Sequence, residues 1–100
     1  MNYTSGNLKK LEVLLKEMGY GLRYEKGNFN SGYCILQDKN IAIVNKYFTE
    51  DVKFQKVMDI ILSIEQFDLQ NLSEGSLKIL EKINPQKRNP NPIPFDEDIQ

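Results

Sequence analysis

The residues best suited to chemistry lie between Arg23 and Lys46, where a polar loop separates two strand-like segments. The loop reads Gly27-Asn28-Phe29-Asn30-Ser31-Gly32, and its backbone amides and asparagines could cradle a phosphate or a carboxylate. A phosphate-binding loop needs Lys and then Ser or Thr after its last glycine, and a helix N-terminus beyond them. Here Tyr33-Cys34 follows, in a strand-like segment. The pattern therefore favours a plain strand connection over a nucleotide site.

Nucleophilic and metal-dependent chemistry lack the residues that they require. Cys34 is the single cysteine and the chain has no histidine, so no Cys-His pair can form and zinc loses its common ligands. Cys34 is better explained as a small buried hydrophobe in a strand. The acidic pair Glu50-Asp51 suits a helix start, and Asp96-Glu97-Asp98 lies in a proline-rich tail. We predict no catalytic residue, no metal and no cofactor.

An RNA or small-ligand site is an alternative, because basic and aromatic residues interleave here: Arg23, Tyr24, Lys26, Phe29 and Tyr33. Aromatic rings on a sheet can stack bases while cations meet phosphates. Against this, Tyr24 shares a strand face with Leu22 and fits a core, and Glu25 dilutes the charge. The predicted ligand site comprises Arg23, Lys26, Asn28, Asn30 and Tyr33.

The segment before this region predicts a helix followed by a strand. Leucines recur at helical spacing from Leu8 to Met18, with lysines left for the solvent side and Gly19 placed to stop the helix. Tyr20, Leu22 and Tyr24 then alternate with polar residues or glycine, which is typical of a half-buried strand.

Two further strands, 33–37 and 41–45, flank Asp38-Lys39-Asn40, a short polar break suited to a hairpin turn. We therefore expect these strands to pair antiparallel. The stretch from Ile41 to Val44 is apolar on both faces, which indicates a central or doubly covered strand.

Two helices are predicted in the second half. Thr49 is placed to cap one that runs from Glu50 to Phe67, and Ser73 to cap another that Asn84-Pro85 ends. Apolar residues extend widely around the first of these helices, which suggests a homodimer or partner interface. The residues that we assign to this interface are Ile60, Ile64 and Phe67.

The chain of 100 residues suits one domain with one core, which we place at residues 1–84. All four prolines fall between Pro85 and Pro94, so residues 85–100 predict an extended acidic tail unless Ile93 and Phe95 dock on the body. With 13 basic and 14 acidic residues the net charge is −1, so the chain as a whole has no positive electrostatic field that would attract nucleic acid. The lone cysteine, the short apolar runs and an N-terminus without a signal-peptide pattern predict a cytoplasmic protein with no membrane segment.

Three stretches carry a resemblance to a known group of proteins: 23–29, 31–34 and 43–46. Over about residues 8 to 67 the chain resembles small bacterial proteins of unknown function, chiefly from Bacteroidota, with the same leading helix and strand triplet. In layout alone it is similar to the front part of the ImmA/IrrE-type zinc peptidases. Their next helix carries His-Glu-x-x-His, whereas Glu50 to Phe67 holds no histidine, so the resemblance does not imply peptidase activity.

These observations together predict an α+β domain in the order α-β-β-β-α-α, with a three-stranded, mainly antiparallel sheet packed by helices. The first functional hypothesis is a non-enzymatic cytoplasmic interaction protein, self-associating or bound to a protein partner. The alternative is a ligand or RNA site on the strand-loop-strand face at residues 23–33, and an enzyme based on Cys34 comes third.

Overall fold

The computed structural model describes residues 1–26, 32–36 and 38–84. The elements are helix α1 (Ser5–Glu17), strands β1 (Gly21–Glu25), β2 (Tyr33–Leu36) and β3 (Ile41–Asn45), helix α2 (Glu50–Ser63), a 3-10 turn (Leu69–Asn71) and helix α3 (Glu74–Ile83). The predicted α+β class and the order α-β-β-β-α-α are confirmed. The predicted tail from residue 85 lies outside the described residues, as do Asn28 and Asn30 of the loop.

The end of α1 forms where the sequence predicts it, at Gly19. The Gly19 N–H donates to the carbonyl of Lys16 at 3.0 Å, and the Tyr20 N–H donates to the carbonyl of Leu15 at 3.2 Å. Gly19 has a φ of 98°, in the left-handed region that glycine adopts without a steric penalty. This pair of bonds is a Schellman motif, and it turns the chain from α1 directly into β1.

The sheet has the order β1-β3-β2, so β3 is central as its doubly apolar sequence predicts. The β2–β3 pair is antiparallel, also as predicted, and the turn between them uses Asn40 at a φ of 52°. In contrast, β1 runs parallel to β3, which makes the sheet mixed rather than purely antiparallel. A tight turn forces its two strands to be antiparallel, whereas β1 and β3 are separated by a longer stretch that permits either direction.

The start of α2 differs in detail from the prediction. Helix α2 does begin after Thr49, but the Thr49 hydroxyl accepts no helix amide and instead donates to the carboxylate of Asp51. By contrast, the Ser73 hydroxyl caps α3 as expected, since it accepts from the Ser76 N–H at 3.2 Å.

The end of α2 was predicted too late, at Phe67 instead of Ser63. The Ser63 hydroxyl donates to the carbonyl of Ile60 at 2.7 Å and so satisfies one of the terminal acceptors. Ile64 then takes extended backbone angles, and its side chain is buried in the core. Because α2 ends at Ser63, the extended residue Ile64 starts the connection that leads through the 3-10 turn to α3.

One face of the sheet, which we call the inner face, packs on the helices. Ala42 and Val44 of β3 are fully buried on this face. Helix α1 contacts β1, α2 contacts β3, and α3 packs on α1. The buried core residues come from α1, β3, α2, α3 and the segments next to these helices, and Leu22 and Tyr24 of β1 pack against them: Leu8, Leu11, Leu14, Leu15, Met18, Ala42, Val44, Phe54, Val57, Ile60, Ile61, Ile64, Leu72 and Leu80.

Gly32, at the start of β2, provides a test of this packing. Its φ is 84°, and a Cβ built there would lie 2.7 Å from Cε2 of Phe48. Gly19 has a similarly positive φ, but a Cβ there meets nothing within 4 Å. We therefore expect Gly19→Ala to lower the free energy of unfolding by about 1–2 kcal/mol from backbone strain alone. Gly32→Ala should lower the free energy of unfolding by about 1–3 kcal/mol more than Gly19→Ala does, because the added methyl group overpacks against Phe48.

Urea denaturation of the two variants beside the parent chain measures this difference. Equal losses for Gly32→Ala and Gly19→Ala would contradict the close approach of Phe48 to the start of β2.

Candidate functional site

The predicted ligand site is divided between the two faces of the sheet. In the pairing register, Arg23 aligns with Ile43 and Cys34, whereas Tyr33 aligns with Val44 on the inner face. Successive residues of a strand point to opposite faces, so Arg23 and Tyr33 cannot contact one ligand on one face. The sequence alone cannot reveal this split, because it depends on the register between strands. Lys26 is exposed just after β1.

Tyr24, the other aromatic residue of the RNA hypothesis, is occupied within the fold. Its hydroxyl donates to a carboxylate oxygen of Glu12 at 2.5 Å, and Nζ of Lys53 lies 4.9 Å from the ring centroid. Burial raises the pKa of Tyr24 well above its ordinary value, and the bond to Glu12 raises the pKa further. Tyr24 thus ties β1 to α1 and is no open platform for a base. The described residues that the RNA hypothesis named therefore do not form one combined aromatic and basic surface.

The predicted interface residues also lie elsewhere than expected. Ile60 is fully buried and Ile64 is 6% exposed, while Phe67 is partly buried against the core. The wide apolar surface of α2 is covered from within the chain, by α1 and β3. In this fold Ile60 and Ile64 pack within the chain, and the assignment of an interface to Ile60, Ile64 and Phe67 stays a prediction.

The other face of the sheet, which we call the outer face, carries an apolar patch. Its members alternate with the inner residues: Cys34, Leu36, Ile41 and Ile43. Leu36 is 39% exposed and the other three are partly buried, and none of the four belongs to the core of the described residues. Cys34 is therefore less buried than its sequence context predicts.

A charged pair borders the outer face on β1. Arg23 and Glu25 form an ion pair at 3.5 Å with both side chains largely exposed. Such a pair contributes at most about 1 kcal/mol to stability. Its arrangement places one positive and one negative charge beside the apolar patch.

Metal chemistry and membrane insertion find no support in the described ranges. Residues 1–26, 32–36 and 38–84 contain no group of three Cys, Asp or Glu side chains that could hold a metal ion. Within the same ranges, no helix has the length and apolar character needed to cross a bilayer.

A groove between α1 and α3 is one of the concave surfaces of the described chain. We call it the lysine groove. Its volume is about 420 Å³, and it is lined by Lys9, Lys10, Val13, Ser73, Gly75, Ser76, Lys78, Ile79 and Lys82. Val13 is 50% exposed and Ile79 is partly buried, so the groove has an apolar strip flanked by lysines from both helices.

The groove forms where α3 packs on α1, with the start of α3 held at the end of α1. The Ser73 N–H at the start of α3 donates to a carboxylate oxygen of Glu17 at the end of α1, at 2.7 Å. Leu80 of α3 is fully buried against the rest of the core. The Glu17 bond and the burial of Leu80 thus hold α3 against α1 beside the groove.

The electrostatics of the lysine groove differ from those of the whole chain. The chain has a net charge of −1, yet the groove lining holds four lysines and no carboxylate. The positive charge of Lys78 is only weakly neutralised, because its ion pair with Glu74 is exposed and 4.0 Å long. A local positive field therefore surrounds an apolar strip, and this combination suits a ligand that is both acidic and apolar.

Sequence reasoning missed this groove, although two residues hinted at it. Val13 is an apolar residue outside the buried stripe of α1, and Gly75 is a glycine within α3. A Cβ at Gly75 would meet no atom within 4 Å, so neither strain nor crowding requires glycine there. Each residue is unremarkable alone. Only the packing of two helices about 60 residues apart brings them together.

No protein-family model, no curated protein and no solved structure matches the chain. The resemblance to the small bacterial proteins and to the ImmA/IrrE-type layout therefore stays a prediction.

The Glu17 contact makes the α1–α3 pair sensitive to acid. The backbone N–H of Ser73 lowers the pKa of Glu17, and the hydroxyls of Ser76 and Ser73 add to this effect. A lowered folded-state pKa means that the stabilisation is complete above the unfolded-state pKa of glutamate and is lost as pH falls through the folded-state pKa. We expect the parent chain to be more stable than Glu17→Gln at pH 7, and this difference to shrink as pH falls below the unfolded-state pKa of glutamate.

Urea denaturation of both proteins at several pH values measures the stability difference at pH 7 and its loss in acid. The NMR resonance of the Ser73 amide, which donates to Glu17, reports on the contact itself. A constant stability difference across the acid range would show that the charge of Glu17 does not contribute.

Proposed function

We propose that this protein is a non-enzymatic interaction module that binds an acidic, amphipathic segment of a partner protein in the lysine groove. The observation that carries the proposal is the apolar strip of Val13 and Ile79 between lysines of two helices. Apolar side chains of the partner would cover the strip while its carboxylates meet the lysines. Binding of an amphipathic helix in a groove commonly combines these two elements.

A protein segment suits the groove better than a nucleic acid does. Single-stranded nucleic acids need aromatic faces for stacking, and the groove lining includes no aromatic residue. A phosphate backbone would also leave the apolar strip of Val13 and Ile79 unused. The lysines alone attract any anion, but the strip selects a ligand that has apolar side chains beside its negative charges.

The setting that we propose is the cytoplasm of a bacterium, where Cys34 stays a free thiol. A groove of about 420 Å³ accommodates a few side chains and not a whole domain. The partner region is therefore a short segment, laid along α1 and α3 at the usual helix-to-helix distance of about 8–10 Å.

The first test uses a fluorescein-labelled helical peptide with Leu at positions i, i+3 and i+7 and Glu at the flanking positions. We expect Lys78→Glu combined with Lys82→Glu to weaken binding at least about tenfold, because attraction becomes repulsion. The matched control is Lys39→Glu with Lys46→Glu, which changes the net charge equally but lies outside the groove lining. Fluorescence anisotropy gives the affinities. Equal losses of peptide affinity in the two double variants would show that binding depends on net charge and not on the groove.

Gly75→Leu separates groove binding from fold stability. A Cβ at Gly75 would meet no atom within 4 Å, so a side chain can be added there without crowding at the backbone. The same side chain fills part of the groove. We expect this variant to be at least as stable as the parent chain in urea and to bind the peptide more weakly. Undiminished peptide binding by a well-folded Gly75→Leu protein would contradict the groove as the binding site.

Self-association through the outer face is a second candidate, favoured by the exposed apolar patch of Cys34, Leu36, Ile41 and Ile43. In a two-fold symmetric pair, Arg23 of one copy can face Glu25 of the other, so the border is self-complementary. Three strands of four or five residues cover an area on the order of 200 Å², well below the roughly 800 Å² per partner of a stable complex. We therefore expect a weak, concentration-dependent dimer.

Ile43→Asp tests this dimer, because Ile43 lies in the middle of the patch, paired with both Arg23 and Cys34. We expect sedimentation velocity to show concentration-dependent association for the parent chain and a monomer for Ile43→Asp. Val13→Asp is the control, because it introduces the same charge in the groove and should leave association unchanged. Alkylation of Cys34 should slow as the concentration of the parent chain rises. An alkylation rate independent of concentration would argue against association through this face.

A further inference from the structure

The C-terminal segment of the chain has the chemistry that the lysine groove calls for. It reads Ile93-Pro94-Phe95-Asp96-Glu97-Asp98 and lies outside the described residues. Two large apolar side chains precede three consecutive carboxylates. We infer that this segment binds the lysine groove of its own molecule, with Ile93 or Phe95 on the apolar strip and the acidic residues among the lysines.

The charges of the two surfaces complement each other. The groove lining has four lysines and no carboxylate, while residues 93–98 have three carboxylates and no cation. The basic residues of the C-terminal stretch, Lys87 and Arg88, fall in the connection before residue 93. The docking segment itself therefore carries only the sign that the groove attracts.

The connection is long enough for docking within one molecule. Helix α3 ends at Ile83, one residue beyond Lys82 of the groove lining. Nine residue steps separate Asn84 from Ile93, and an extended chain spans about 3.3 Å per step, or roughly 30 Å in all. From Lys82 back to Gly75 the groove follows seven helical steps, about 10 Å at 1.5 Å each. The segment can therefore turn back and reach any part of the groove.

Tethering favours the internal segment over a free one. A short linker gives a local concentration in the millimolar range, so even a weak contact is occupied much of the time. This inference rests on the proposed function, since it assigns an internal competitor to the same groove. A partner then binds with an apparent affinity reduced by the fraction of molecules whose groove is already filled.

Zero-length cross-linking of the full chain with a carbodiimide tests the contact, because it joins lysines to carboxylates that touch. Mass spectrometry of the monomer band should show Asp96, Glu97 or Asp98 joined to groove lysines, with few links to the control lysines Lys39 and Lys46. A mixture of ¹⁴N- and ¹⁵N-labelled chains distinguishes links within one chain from links between two chains. Links that occur only between differently labelled chains would overturn docking within one molecule, as would links spread evenly over groove and control lysines.

A second measurement separates this inference from the proposed function. The variant with Phe95→Ala, Asp96→Asn, Glu97→Gln and Asp98→Asn keeps every residue of the groove. If the internal segment competes, this variant should bind the labelled helical peptide at least about fivefold more tightly than the parent chain. Equal, measurable affinities would overturn internal competition while the proposed function stands. Absence of peptide binding by both proteins would count against the proposed function, and the cross-links would then decide the docking contact alone.

Discussion

The architecture depends on the burial of α1 on two sides at once. Leu11, Leu14 and Leu15 are fully buried, and each of the main packing contacts between elements involves either α1 or the central strand β3. A helix covered by the sheet and α2 on one side and by α3 on another retains only a narrow exposed strip. That strip carries Lys9, Lys10 and Val13, so the same constraint that builds the core also places one wall of the lysine groove.

Local signals in the sequence predict the elements well, because each signal acts within a few residues. Helix α1 ends at Gly19 through bonds from the Gly19 N–H to Lys16 and from the Tyr20 N–H to Leu15. Ser73 caps α3, and the alternation around Leu22 marks β1. These features need no knowledge of the rest of the chain. The predicted end of α2 is wrong because it depends on distant residues and not on a local signal. Ile64 leaves the helix and fills a site in the core that those residues build.

The candidate site depends on long-range pairing, which the sequence does not encode locally. Arg23 and Tyr33 look like neighbours until the register with β3 places them on opposite faces. The apolar breadth of α2 likewise does not say whether its cover comes from within the chain or from a partner. In the structure the cover is internal, from α1 and β3, and the groove and the outer face are two surfaces that the described residues leave open.

The parallel pairing of β1 with β3 also determines the order in which this protein can fold. The β2–β3 hairpin closes through a turn of four residues, whereas Gly21 pairs with Ile41 twenty positions away. Short loops close at a smaller entropic cost, so we expect the hairpin to form before β1 joins the free edge of β3. During synthesis α1 and β1 emerge before β3, so the leucines of α1 stay uncovered until the elements that pack on them have been made.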